Sequence, residues 1–156
     1  YRSLGFGELA AAAVFAGVAV FIVVPRLDGS DRAAFCAALI PLLVILVQAG
    51  CYWLAARSWV AIAPMPRGLA RIYRAFRVVD LVLVGAGLVG ILAWWPGDPA
   101  VASLVVAVWL FGLVEWINYF HVRLAYPARR WLALVGERRT PRLLRDIRSG
   151  DVAHTP

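Results

Sequence analysis

The chain has 156 residues, 63% of them hydrophobic and only 16% charged, with a mean hydropathy of +0.79. Soluble domains run about 45–50% apolar and about 25% charged, and a chain this small has too much surface for its volume to hide the excess in a core. Soluble globular, disordered and disulfide-scaffold classes are therefore excluded. The net charge of +7 comes entirely from arginine, because the sequence contains no lysine.

In chain order, four windows are nearly free of charge. Residues 9–25 carry none between Glu8 and Arg26, and residues 33–56 carry none between Arg32 and Arg57. The stretch from Arg77 to Asp98 holds only Asp80, and the stretch from Asp98 to Arg123 holds only Glu115. A helix rising 1.5 Å per residue crosses the hydrocarbon with about 20 apolar residues. The spans expected are therefore about 5–25, 33–56, 77–96 and 100–123. The first is read as a span and not as a signal peptide, because no small-residue cleavage site follows Val24-Pro25-Arg26. Tyr1 is not a start Met, so the native N-terminus is expected to be trimmed or to lie further upstream.

Arginine placement sets the threading. Arg57, Arg67, Arg71, Arg74 and Arg77 lie between spans two and three, with no acid among them. Arg123, Arg129, Arg130, Arg138, Arg139, Arg142, Arg145 and Arg148 follow span four. Arg26 and Arg32 are offset by Asp28 and Asp31, and the loop between spans three and four has only Asp98. The positive-inside rule then puts both termini and the middle segment in the cytoplasm. The fold expected is all-α: an integral membrane four-helix bundle over residues 1–126, multi-pass in the cell inner (plasma) membrane, with a basic interfacial C-terminal tail over 127–156.

Both cytoplasmic segments are expected to be amphipathic helices. Pro66 stands where a first helical residue belongs. After it Arg67, Arg71 and Arg74 share one face, with Leu69, Ile72, Tyr73 and Phe76 largely opposite, and the helix is expected to run into span three. In the tail, Trp131, Leu134 and Val135 form a small apolar face after Pro127. Thr140-Pro141 caps a last helix through Ile147, ended by Ser149-Gly150. Basic amphipathic helices lie in the headgroup layer and are held by anionic lipid. Arg67, Arg71, Arg74, Arg77, Arg123, Arg129 and Arg130 are the candidate lipid-binding set, although orientation alone accounts for their number. Nucleic acid is not expected, since no groove-reading module is present. Ala13 with Gly17 and Ala86 with Gly90 have the four-residue spacing that lets helices approach closely in lipid, within one chain or in a homo-oligomer.

Ionisable groups inside a bilayer are expensive and are functional candidates by default. Up-and-down threading places Glu8, Gln48, Asp80, Glu115, Asn118 and His121 all in the cytoplasmic leaflet, as one polar layer, with Tyr52, Trp116 and Tyr119 beside them. Glu115 lies about 12 Å from Arg123 along the helix. Glu115, Asn118 and Tyr119 share a face, and His121 points elsewhere. Glu115, Asp80 and His121 are the candidate catalytic groups, and Gln48, Tyr52, Asn118, Tyr119 and Trp116 the candidate ligand-binding groups. Asp80 has Arg77, Arg123 or His121 as expected partners. Trp94 and Trp95 are expected as an interfacial belt at the outer end, and Trp53 and Trp59 at the inner. Trp109 and Trp116 lie deeper, packed or lining a cavity for a flat lipophilic ligand.

No cofactor is expected. One intramembrane His cannot supply two haem ligands, and Glu115 and His121 do not share a face for a metal. Cys36 and Cys51 stand about 22 Å apart on one helix, too far to bridge. Cys-x-x-Cys, a phosphate loop and a nucleophile elbow are all missing. Three function classes remain. The first is a structural or interaction component that contacts anionic lipid or a membrane protein partner. The second is an intramembrane acid–base enzyme acting through Glu115 on a lipophilic substrate, so whether the chain is an enzyme stays open. The third is a proton-coupled transporter or channel built as an oligomer.

Overall fold

The computed structural model describes residues 2–59, 63–121 and 142–152, with side chains through residue 147. Every regular element among them is helical: α1 (Arg2–Val18), α2 (Gly29–Ala56), α3 (Arg67–Ala93), α4 (Pro99–Phe120) and α5 (Arg142–Val152). Four helices are long and apolar enough to cross a membrane: Arg2–Arg26 (α1 and its extension), α2, α3 and α4.

Local sequence explains how these helices begin and end. Past Val18, α1 widens into a π turn over Ala19–Val23 and tightens into a 3-10 turn over Val24–Arg26. Pro25 is the cause. Its ring and missing N–H disrupt the normal bond to Phe21, and Val24 N–H reaches five residues back to Ala19 O. Arg26 then donates from its guanidinium to the Ile22 carbonyl. Pro66 occupies the cap position of α3 with an extended ψ of 135°, one residue earlier than its expected place at the first helical turn. From there α3 runs unbroken to Ala93, so the amphipathic segment and span three are one helix. Asp98 caps α4, accepting from Ala100 N at 2.7 Å and Val101 N at 3.1 Å, with Pro99 in the first turn. Such a cap is worth about 1 kcal/mol.

α2 is the central helix. Over half of its most apolar window (56%) is buried, against 11% in the first span, and it packs on α1, α3 and α4. Neighbouring spans are antiparallel, as two indoles on α4 show. Trp109 Nε1 donates to Val84 O at 2.9 Å, and Trp116 Nε1 to Arg77 O at 3.2 Å. The two bonds stand two helical turns apart on both helices. Both tryptophans are packed against α3.

Glycines fix the close crossings, and they are only partly the expected ones. A Cβ on Gly17 would meet nothing within 4 Å, and Ala13 and Ala86 are exposed, so of the two expected pairs only Gly90 stands at a close crossing. The α1–α2 crossing lies at Gly5 and Gly50, where a Cβ on either would stand 3.1–3.2 Å from the other's carbonyl oxygen. On α3 the tightest position is Gly87. A Cβ there would lie 2.6 Å from Ala37 O and 3.3 Å from Pro41 Cγ. Pro41 sits inside α2 and has no N–H to offer Ala37 O, the carbonyl four residues back. The bare backbone of Gly87 packs against that freed oxygen, the close approach in which Cα–H···O contacts recur. Gly90 meets Ala37 Cβ at 2.8 Å in the same way.

The buried apolar side chains form two clusters. One surrounds Leu42, Leu46, Ile91 and Val105 towards the α1–α2 and α3–α4 loops. The other lies at the opposite, arginine-rich end and includes Tyr52, Trp59, Met65, Tyr73, Trp116 and Phe120. α5 completes it. Leu143 and Ile147 of α5 are both buried in that cluster, and the helix packs against α3 and α4. The apolar face expected to rest on headgroups is therefore turned against the protein, where the bundle end supplies aromatic partners. The helix continues to Val152 through the expected stop at Ser149-Gly150. Thr140-Pro141, Trp131, Leu134 and Val135 lie outside the described residues.

Candidate functional site

The polar residues gather at the arginine-rich end, as the threading predicts, but they divide into three clusters. In the first, α2 and α3 are joined by Gln48 Nε2 donating to Asp80 Oδ1 at 3.0 Å. Tyr73 adds a second α2–α3 tie, its hydroxyl donating to Gln48 O at 3.2 Å. Asp80 has no exposed surface. Its partner is Gln48, and among the described residues it makes no ion pair with Arg77 and no bond to His121. Arg77 stands one helical turn before Asp80 and is half-buried, whereas Asp80 is fully buried against α2. Arg123, Arg129 and Arg130 lie outside the described residues.

The second cluster joins α1, α2 and α4. Tyr119 donates from its hydroxyl to Glu8 Oε1 and receives the Trp53 indole N–H at 3.5 Å. Glu115 hydrogen-bonds the Asn118 side chain and interacts electrostatically with Glu8. Two carboxylates from different helices therefore share one corner, with a phenol, an amide and an indole around them. The predicted shared face of Glu115, Asn118 and Tyr119 is realised. Tyr119→Phe removes the hydroxyl between α1 and α4. It is expected to lower stability by about 0.6–1.7 kcal/mol, the range of interhelical side-chain bonds in lipid, measured by thermal unfolding in detergent. No loss would mean that Glu8 does not depend on this bond.

The third cluster is at the very end of the bundle. Tyr52, fully buried, donates to Asp146 Oδ2 of α5 at 2.8 Å, and Arg142 lies 3.9 Å from the other carboxylate oxygen. Tyr52 packs edge-on against Tyr73 at 5.6 Å and beside Trp53 at 5.0 Å. Asp146 is absent from the sequence-derived set. Its signal was present: an acid among arginines, three residues past Leu143 and one before Ile147, on the same face. Tyr73 was read only as part of an apolar face, and its hydroxyl gave no sign of its target.

The remaining candidates are dispersed. His121 is exposed at the end of α4 and stacks against Trp116 at 4.6 Å, away from Asp80 and Glu115. Trp116 is buried and engaged with Arg77 O. Trp94 and Trp95 are exposed as the belt requires, but Trp59 is buried. Arg67, Arg71 and Arg74 are exposed along α3 and Arg77 is half-buried. A small crevice beneath α5 is lined by Ile45, Gln48, Ala49, Tyr73, Tyr119, Phe120 and Leu143, with apolar walls. Glu115 does not line it. No group of three or more metal-ligating side chains occurs among the described residues. No protein-family model, no curated protein and no solved structure matches this chain.

Proposed function

We propose that the chain is a structural or interaction component of the cell inner (plasma) membrane. In this reading both termini and the α2–α3 segment are cytoplasmic, the polar layer fixes the helices against one another, and the arginines bind anionic lipid or an acidic partner. One observation carries it: polar side chains at this end tie one helix to another, in Gln48–Asp80, Glu8–Tyr119 and Tyr52–Asp146. An active site would instead aim them into an open, substrate-sized cavity. Arg67, Arg71 and Arg74 are exposed along α3, and exposed arginines suit a surface of anionic headgroups, where each basic residue contributes about 1 kcal/mol.

Replacing Arg67, Arg71 and Arg74 together by Gln is expected to strip retained phosphatidylglycerol from the purified protein, read by native mass spectrometry, while the fold survives. Equal retention would remove the lipid-binding reading. Orientation is checked by single cysteines at Gly29 and Gly68 in a background lacking Cys36 and Cys51. An impermeant thiol reagent outside intact cells is expected to label position 29 and spare position 68.

A second reading, acid–base chemistry through Glu115, rests on the pairing of its carboxylate with that of Glu8. It requires Glu115→Gln to abolish a turnover or proton flux while assembly is kept. The structural reading expects the amide to hold the Asn118 contact and change nothing but stability.

A further inference from the structure

Gln48 and Asp80 leave a specific imbalance behind. Gln48 Nε2 reaches Asp80 Oδ1, yet Gln48 Oε1 and Asp80 Oδ2 are both buried without a hydrogen-bond partner. Both are acceptors if the carboxyl is ionised. Turning the amide over does not help, because three acceptor oxygens would still face a single NH₂ group. One proton removes the whole deficit. A carboxylic acid donates from one oxygen and accepts at the other, and an amide does the same. The acid and the amide then close a two-bond ring, and both orphan oxygens are satisfied together.

The surroundings offer no other remedy. Asp80 is completely buried, and no charged side chain among the described residues acts on it. From α3 itself, Arg77 is the nearest charge in sequence and makes no pair with it. From α2, Tyr52 is committed to Asp146 of α5. From α4, Glu115 hydrogen-bonds Asn118 and lies within electrostatic range of Glu8 of α1. Tyr73 is turned to the Gln48 carbonyl. The crevice beside Gln48 has apolar walls, and a water needs two to four polar partners to stay. An ionised carboxylate there would be left without the partners that offset its loss of solvation.

We propose that Asp80 is a proton-binding site: the acid form donates from Oδ2 to Gln48 Oε1, and the proton is part of what joins α3 to α2. Loss of that proton returns two facing acceptors to the α2–α3 contact and loosens it. The inference stands apart from the proposed lipid or partner role, since it concerns only the state of this pair.

Infrared spectroscopy of the full chain in nanodiscs tests it without any substitution. With ¹³C at the aspartate side-chain carboxyl, an acid carbonyl band present at about pH 5, where a free aspartate is ionised, is expected to shift. Asp80→Asn is then expected to delete that band and to keep the fold, because the new amide donates to Gln48 Oε1 in place of the acid. A group protonated when folded and ionised when unfolded gives stability that falls as pH rises. Wild-type melting temperature is therefore expected to drop with rising pH relative to Asp80→Asn. The proposal is overturned if the label moves only carboxylate bands at about pH 5, which is the outcome for an ion or water at the pair. It is equally overturned if the two proteins share one pH dependence.

Discussion

Gly87→Val is expected to separate α3 from α2 and to be among the most damaging single changes in the bundle. The reason is what the new Cβ meets. It would stand 2.6 Å from Ala37 O and 3.3 Å from Pro41 Cγ, and a backbone oxygen beside a proline ring has no rotamer to escape into. Relief requires the helices to move apart along a crossing that also holds Gln48 against Asp80. Overpacking in a close-packed interior costs about 1–3 kcal/mol for added methylenes that can be accommodated, and Gly87→Ala belongs in that range. Valine adds two more methyl groups at the same point and is expected to exceed it. Gly85→Ala is the control. It lies two residues away in the same helix, has nothing within 4 Å of its Cβ, and is expected to be neutral or to gain up to about 1 kcal/mol from helix propensity. Thermal or SDS-driven unfolding of the three proteins decides the matter. Equal midpoints for Gly85→Ala and Gly87→Ala would show that the Ala37 carbonyl does not set the crossing. A size exchange separates the backbone contact from its neighbour. Gly90→Ala meets the Ala37 Cβ at 2.8 Å, so Ala37→Gly is expected to rescue it. The same exchange leaves the oxygen in place and does not rescue Gly87→Ala.

These positions also mark the limit of what the amino-acid order discloses. Hydropathy and charge report depth along a helix axis, so the four spans, and the common level of Glu8, Gln48, Asp80 and Glu115, were legible. Rotation about the axis is a different quantity. Lipid and a helix interior are equally apolar, and an outward stripe looks like an inward one. The sequence spacing therefore favoured Ala13, Gly17 and Ala86, which mark no close crossing, as readily as Gly90, which does. Gly5 and Gly50, which cross α1 over α2, have no motif because the two residues lie on different helices. The same holds for Asp80. Arg77 stands three residues away in sequence, but Gln48, thirty-two residues away, is its partner. Within one helix the rules were reliable, as the shared face of Glu115, Asn118 and Tyr119 shows. Pairing between helices depends on which carbonyl a proline frees and which glycine lets a neighbour approach it, and neither is visible one helix at a time.

Ile147→Glu is expected to release α5 while the four long helices stay folded. Among the described side chains, Leu143, Ile147 and Asp146 hold α5 to the bundle end, the last through Tyr52. Full burial of each apolar side chain is worth about 1.5–3 kcal/mol. A hydrogen bond to a charged group adds about 1.5–3 kcal/mol. A glutamate at position 147 removes one apolar contribution and sets an unpaired carboxylate against Tyr73 and its neighbours, a cost of several kcal/mol. That cost is of the same order as what Leu143 and Asp146 still contribute, so the docked state loses its margin. Amide hydrogen exchange over 142–152 is therefore expected to rise to the rate of an undocked segment, with α2 and α4 unchanged. Tyr52→Phe should raise exchange in the same helix by a smaller factor, because the two apolar contacts remain. Arg145, exposed on the opposite side of α5, serves as control, and Arg145→Gln should leave exchange as it is. If Ile147→Glu does not accelerate exchange over 142–152, the buried face is not what docks α5. If it accelerates exchange throughout α3 as well, then α5 does more than cover the bundle end, and the aromatic cluster of Tyr52 and Tyr73 depends on it for its order.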